Sequence, residues 1–159
     1  MDIDYWNGIL ILFLFIAALV VVYLIEKRKR NMFLDIDEME GHEFEVYCSK
    51  LLEKRGFDEV EVTRGSGDFG VDILAQKEGV TYAIQCKRYE GAVGVKAVQE
   101  AYAGRDYYDR TVGAVLTNQY FTKPAIEAAV KLKILLWDRE YLMAMIEEED
   151  ADAERRHKN

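Results

Sequence analysis

The chain has 159 residues, half of them hydrophobic and 31% charged, with a net charge of −8 and only two cysteines. That length suits one domain, and the balance excludes a disordered chain, while two cysteines without metal-ligand spacing exclude a disulfide-stapled miniprotein. A single apolar run set against an ordinary polar remainder excludes both a purely soluble protein and a multi-pass transporter.

The run is Ile9 to Ile25, seventeen residues with no charge, glycine or proline. As a helix it covers about 25 Å, and counting from Tyr5 extends it to about 31 Å, against a hydrocarbon core of about 30 Å. Tyr5 and Trp6 are aromatic residues of the kind favoured at a membrane interface. Lys27, Arg28, Lys29 and Arg30 follow the run, and only Asp2, Asp4 and the terminal amine precede it. A cleaved signal peptide has the opposite charge order and a small-residue exit, which Tyr23-Leu24-Ile25 does not supply. The segment is therefore expected to hold the chain in a membrane through residues 5–25, N-terminus outside and the rest in the cytoplasm. Residues 1–30 form this anchor with its basic flank, and 31–40 read as a short polar linker.

From Gly41 the period becomes helical, with Phe44, Tyr47, Cys48, Leu51 and Leu52 on one face and an end near Gly56. Val60 and Val62 alternate with charges as a strand, and Arg64 to Asp68 is a glycine-rich turn. Val71 to Gln76 and Val80 to Arg88 read as a hairpin. Val95 to Tyr108 is a helix, with Val95, Val98 and Tyr102 along one side. Thr111 to Thr117 is a strand, Thr122 caps a helix through Val130, and Ile134 to Trp137 is a short strand. Asp138 caps a last helix, which frays into an acidic tail, 147–159, expected to be disordered. The order αβββαβαβα predicts an α/β fold, a mixed sheet flanked by helices.

The chemistry concentrates between Arg64 and Arg88. Gln85 and Lys87 stand two apart on a strand and share a face, while Ile84 and Cys86 point the other way. Asp72 can lie beside that pair on the neighbouring strand. A carboxylate, an amide oxygen and an ammonium then converge. An acid inside Val71-Asp72-Ile73-Leu74 is costly unless paired or bound to a cation. A hard cation such as Mg²⁺, with Mn²⁺ as a substitute, takes oxygen ligands and activates water for attack on a phosphodiester. Lys87 suits the developing negative charge. Glu45, next to the apolar stripe of the first helix, is the candidate further carboxylate. His42 has no catalytic duty in this reading, and both cysteines are buried thiols.

These pieces occur in order: Gly41-His42-Glu43-Phe44-Glu45, then Gly65-Ser66-Gly67-Asp68-Phe69-Gly70-Val71-Asp72, then Gln85-Cys86-Lys87, then Leu116-Thr117-Asn118 and Leu136-Trp137-Asp138. The set resembles the Mrr-like branch of the restriction-endonuclease-like nucleases, the PD-(D/E)xK superfamily, over a domain at 41–146. The resemblance implies a restriction-endonuclease-like fold and a metal-dependent DNA endonuclease, with Asp72 and Gln85 as metal ligands, Lys87 as catalytic lysine and Glu45 as accessory acid. It adds a supporting role for Gln99. The backbone carbonyl of Cys86 is a further candidate ligand, and Asp68 is either a supporting residue or a cap of the glycine turn. Gln85 stands where the wider superfamily has an acid, which removes one negative charge from the site. DNA is the implied partner, and cleavage of a duplex at two sites makes a homodimer the expected assembly. The acidic balance opposes DNA binding, and Lys87, Arg88, Lys96, Arg105 and Arg110 are the candidates for a local basic patch. A scaffold that keeps the fold without turnover, and a structure-specific resolvase, are the alternative readings.

Overall fold

A computed structural model describes residues 3–63 and 69–157. Met1–Glu38 and Met39–Asn159 form two compact units.

The first unit is one helix, α1 (Ile3–Glu38). Its stretch Trp6–Lys27 has a mean hydropathy of 3.2 and is buried nowhere along its length. By length and composition it is long and apolar enough to cross a membrane. The linker expected at 31–40 is helical as far as Glu38. Residues 31–38 contain no glycine or proline, so nothing interrupts the hydrogen-bond ladder before Met39.

The second unit runs α2 (Gly41–Lys54), β1 (Asp58–Val62), β2 (Ile73–Lys77), β3 (Val80–Lys87), α3 (Val95–Tyr107), β4 (Val112–Thr117), α4 (Lys123–Leu132), β5 (Ile134–Trp137) and α5 (Arg139–His157). The five strands form one sheet in the order β1-β2-β3-β4-β5. β1, β2 and β3 are antiparallel neighbours, and β4 and β5 join in parallel. This is the mixed α/β sheet the sequence predicts. α2 and α5 pack together on one face, and α3 and α4 on the other.

Local chemistry fixes the ends of these elements. The Glu43 carboxylate accepts the Glu40 backbone N–H at 3.4 Å, closing the first turn of α2. The Thr122 hydroxyl accepts the Ala125 N–H at 3.3 Å, and Asp138 accepts that of Tyr141 at 3.1 Å. The core between α3, α4 and the sheet is built from Val93, Ala97, Val98, Ala101, Val115, Ala125, Ala129 and Ile134. Small residues dominate the helix side, which brings α3 close to the strands.

The acidic tail departs from the disorder expected of it. α5 continues to His157, where Glu149 reaches Lys54 at 2.8 Å and Glu148 pairs with Arg55. Residues 147–157 lack glycine and proline, and their acids meet the basic C-terminal end of α2, where a positive side chain already complements the helix dipole.

Candidate active site

Asp72 sits immediately before β2, and backbone bonds hold it from both sides. Its N–H donates to Ile84 O at 2.9 Å and its carbonyl accepts Thr63 N–H at 2.9 Å. The Thr63 hydroxyl donates to Val71 O at 2.6 Å. The turn before it is seated on α3. Phe69 and Gly70 both take left-handed backbone, φ +49° and +78°. A Cβ on Gly70 would stand 2.7 Å from the Cβ of Glu100. A Cβ on Gly104, one helical turn beyond Glu100, would overlap Val71 and crowd the Phe69 carbonyl at 3.0 Å. Two glycines thus let the strand that carries Asp72 lie flat against α3.

Across the β2–β3 hairpin, Ile73 pairs with Ile84, which puts Gln85 opposite Asp72. Both are buried, at 9% and 3% exposure. Gln85 Nε2 donates to Asp72 Oδ2 and, at 3.3 Å, to the Cys86 carbonyl. Cys86 N–H donates to the same Asp72 oxygen at 2.6 Å. Gln85 Oε1 has no hydrogen-bond partner among the described residues. Lys87, two residues on and half-buried, lies 3.0 Å from Glu100 Oε2. Asp72 and Gln85 are thus in direct contact, while Lys87, two residues further along β3, meets Glu100.

β4 holds the far end of this strand. The Thr117 hydroxyl donates to Lys87 O at 2.6 Å. Asn118, fully buried, accepts Tyr89 N–H at 2.9 Å and donates to Tyr89 O at 3.0 Å. The Thr117-Asn118 pair is therefore a clamp on the chain that presents Lys87.

The remaining expected residues divide. Glu45, on α2, binds the exposed His42 ring at 3.0 Å. Its charge is felt at Cys86 on β3. The Cys86 thiol is pushed well above the usual thiol range, first by its hydrogen bond with Cys48, then by burial and the negative charges of Asp72 and Glu45. Gln99, expected in a supporting role, is exposed on α3. Its neighbour Glu100 faces Lys87. The buried face of α3 is Ala97, Val98, Ala101 and Gly104. Reading bulk at Val95 and Tyr102 instead of these small residues rotated the helix and hid Glu100. Its sequence signal is the pair of turns Lys96-Glu100 and Glu100-Gly104. Asp68 lies outside the described residues.

The expected basic patch is largely spoken for. Lys87 and Lys96 both face Glu100, at 3.0 and 3.5 Å, and Arg105 pairs with Asp106 at 2.8 Å.

Among the described residues no three His, Cys, Asp or Glu groups gather as a metal cluster. The oxygens present are of another kind: one carboxylate, one backbone carbonyl that lies beside it, and one orphaned amide oxygen on the residue between them. Carboxylate and carbonyl oxygens are the donors Mg²⁺ and Ca²⁺ accept, so the donor set fits a hard divalent cation.

A five-stranded mixed sheet of this order, flanked by helices, is a restriction-endonuclease-like fold. The family model Mrr_cat, described as restriction endonuclease, matches residues 36–146, and the chain belongs to that family. Three solved structures share the fold. A protein of unknown function, AF1548, is 24% identical at a TM-score of 0.56, over 69% of this chain and 65% of that one. The DNA modification-dependent restriction endonuclease AspBHI is 18% identical at a TM-score of 0.58, over 77% of this chain and 35% of its own. The MspJI restriction endonuclease, solved in complex with a 27-mer oligonucleotide, is 18% identical at a TM-score of 0.52, over 74% of this chain and 30% of its own. The chain thus spans about a third of the length of the two restriction enzymes. No curated protein matches its sequence.

Proposed function

We propose that this chain is a membrane-anchored, Mg²⁺-dependent DNA endonuclease that acts in restriction of foreign or modified DNA. The observation that carries the reading is the buried Asp72–Gln85 pair at the β2–β3 hairpin, with the Cys86 carbonyl beside it and Lys87 two residues further along β3. Asp72, Gln85 and the Cys86 carbonyl would hold the cation, with Glu45 as accessory acid from α2. A bound Mg²⁺ supplies charge to the phosphoryl oxygen and acidifies a water. Lys87 would orient the attacking water and steady the charge that develops on the phosphate. Burial of Asp72 and Gln85 excludes bulk water from their side of the site, which strengthens those interactions.

The anchor is α1, with Lys27 to Arg30 and the nuclease domain both on the cytoplasmic side. Cleavage of both strands of a duplex calls for two such sites, so the working unit is a homodimer. With the Lys87, Lys96 and Arg105 charges largely neutralised, affinity for DNA is weak and salt-sensitive.

The test is plasmid cleavage by the full chain in detergent micelles with Mg²⁺ or Mn²⁺, beside Asp72→Ala and Lys87→Ala. Cleavage by the parent chain and its loss in both variants is the expected result. Equal activity in all three sinks the assignment, and branched substrates cut in preference to plasmid would favour a resolvase.

A further inference from the structure

Two buried acceptors at the site lack a hydrogen-bond donor among the described residues: Gln85 Oε1 and Glu100 Oε2. Lys87 Nζ stands 3.0 Å from the second, an ion pair without hydrogen-bond alignment. An orphaned buried acceptor is costly, so two on adjoining residues call for a physical reason. Both residues meet at Gly70. A Cβ there would stand 3.1 Å from Gln85 Oε1 and 2.7 Å from Glu100 Cβ. The missing side chain of Gly70 is what leaves room between them.

The other end of the Gln85 amide is crowded with acceptors. Its amino group donates at once to Asp72 Oδ2 and to the Cys86 carbonyl. An amino group placed between a carboxylate and a carbonyl occupies the position a cation would take between the same two oxygens.

We infer that Glu100 is a positioning residue that governs the orientation of the Gln85 amide, and that the amide makes a half-turn when a divalent cation binds. In the cation-free chain, Nε2 plugs the gap between Asp72 and the Cys86 carbonyl. With the cation in that gap, the amino group is repelled and Oε1 turns inward as a third oxygen. Nε2 then faces Glu100, whose Oε2, ion-paired with Lys87 but without a hydrogen-bond donor, receives it. One rotation removes both orphaned acceptors, and the two ends of a primary amide are close enough in size to exchange without repacking. It also gives glutamine a use that glutamate lacks at this position, since a carboxylate cannot plug the empty site. Glu100 touches neither the cation nor the phosphate and acts through Gln85 and Lys87.

The inference rests on the proposed cation-dependent reading, and the test separates the two. The full chain in detergent micelles is labelled with ¹⁵N at its four glutamines, and the Gln85 side-chain resonance is assigned by its loss in Gln85→Glu. Mn²⁺ binding is measured independently by paramagnetic resonance. Titration with Mg²⁺ is expected to move the Gln85 amide resonance with the midpoint at which Mg²⁺ displaces Mn²⁺. Glu100→Gln, which keeps an acceptor oxygen, is expected to hold Mn²⁺ affinity within about threefold, and Glu100→Met to lower it about tenfold or more, the scale of one buried hydrogen bond. Cation binding with an unmoved Gln85 resonance overturns the inference and leaves the cation site standing. Equal losses in the two Glu100 variants reduce Glu100 to a charge and overturn it as well. No Mn²⁺ binding by the parent chain overturns the cation site and the inference together.

Discussion

Asp72 and Gln85 face each other across neighbouring antiparallel strands, thirteen residues apart in sequence, and share one short polar contact in an otherwise apolar layer. The contact is made by the amide nitrogen. Replacing that nitrogen by oxygen in Gln85→Glu would leave two buried carboxylates face to face with Cys86 N–H as a remaining donor. The cation-free variant should lose about 1–3 kcal/mol of stability, the cost of a buried polar group without its partner. Mg²⁺ should restore it, because a second carboxylate raises the charge that holds the ion, and cation affinity should rise above that of the parent chain. Denaturant unfolding with and without Mg²⁺ reads both effects. A variant as stable as the parent without Mg²⁺ contradicts the argument.

Gly70 and Gly104 carry the second prediction. They are the points where the turn before Asp72 touches α3. Gly70→Ala places a Cβ against Glu100 on a backbone with φ +78°. Left-handed strain and overlap together should destabilise by about 2–4 kcal/mol. Cleavage should fall further than stability explains, because Asp72 shifts with the turn. Gly56→Ala, at a similar φ but with open space around it, should cost only the strain, about 1 kcal/mol. Equal losses in the two variants, read by thermal unfolding and plasmid cleavage, would remove the steric part of the account.

Lys87 presents its ammonium from the last residue of β3, clamped by Thr117 behind it and faced by Glu100 beside it. On the proposed reading its charge serves where negative charge grows in the reaction. Lys87→Met should therefore lower kcat about 10²–10³-fold, the scale of one lost electrostatic donor, with KM for DNA changed far less. Thr117→Val removes the hydroxyl that bonds Lys87 O and should reproduce a smaller part of that kcat loss. Steady-state cleavage of a labelled duplex separates the two constants. A Lys87 variant that raises KM alone would make the lysine a DNA contact.

The order of elements was legible in the sequence because each has a strong period and a physical stop: Thr122 before α4, Glu78-Gly79 between β2 and β3, Gly56 after α2. Asp72, Gln85 and Lys87 were legible because strand alternation and a short hairpin leave little freedom of register. Glu100 was not. Its place beside Lys87 depends on which side of α3 faces the sheet, and that side is chosen by alanine and glycine, whose smallness a hydrophobicity pattern undervalues. The helical course of 31–38 and 147–157 was missed for a related reason. Polarity was read as loop, although neither stretch contains a helix breaker, and the second gains partners in Lys54 and Arg55 that only the fold supplies.

Cys86 supplies a prediction about pH. Its thiol lies on the face opposite Gln85, hydrogen-bonded to Cys48 and buried, and both facts favour the neutral form. An unfolded chain releases a cysteine proton near pH 8.5, whereas the folded chain keeps this one to a higher pH. Between those limits the folded state binds more protons than the unfolded state, so stability from this group is complete below about pH 8 and falls as pH rises past about 8.5. The slope it adds is at most about 1.4 kcal/mol per pH unit, one proton's worth. Cys86→Ala also removes a packed sulfur, but that loss is the same at every pH, so only the slope is diagnostic. Unfolding by urea from pH 7 to pH 10 should show a steeper alkaline decline in the parent chain than in Cys86→Ala. In the same range the folded parent should resist thiol reagents that modify it readily in urea, since a buried neutral thiol is a poor nucleophile. Parallel slopes in the two chains would mean that the Cys86 proton is held no more tightly folded than unfolded.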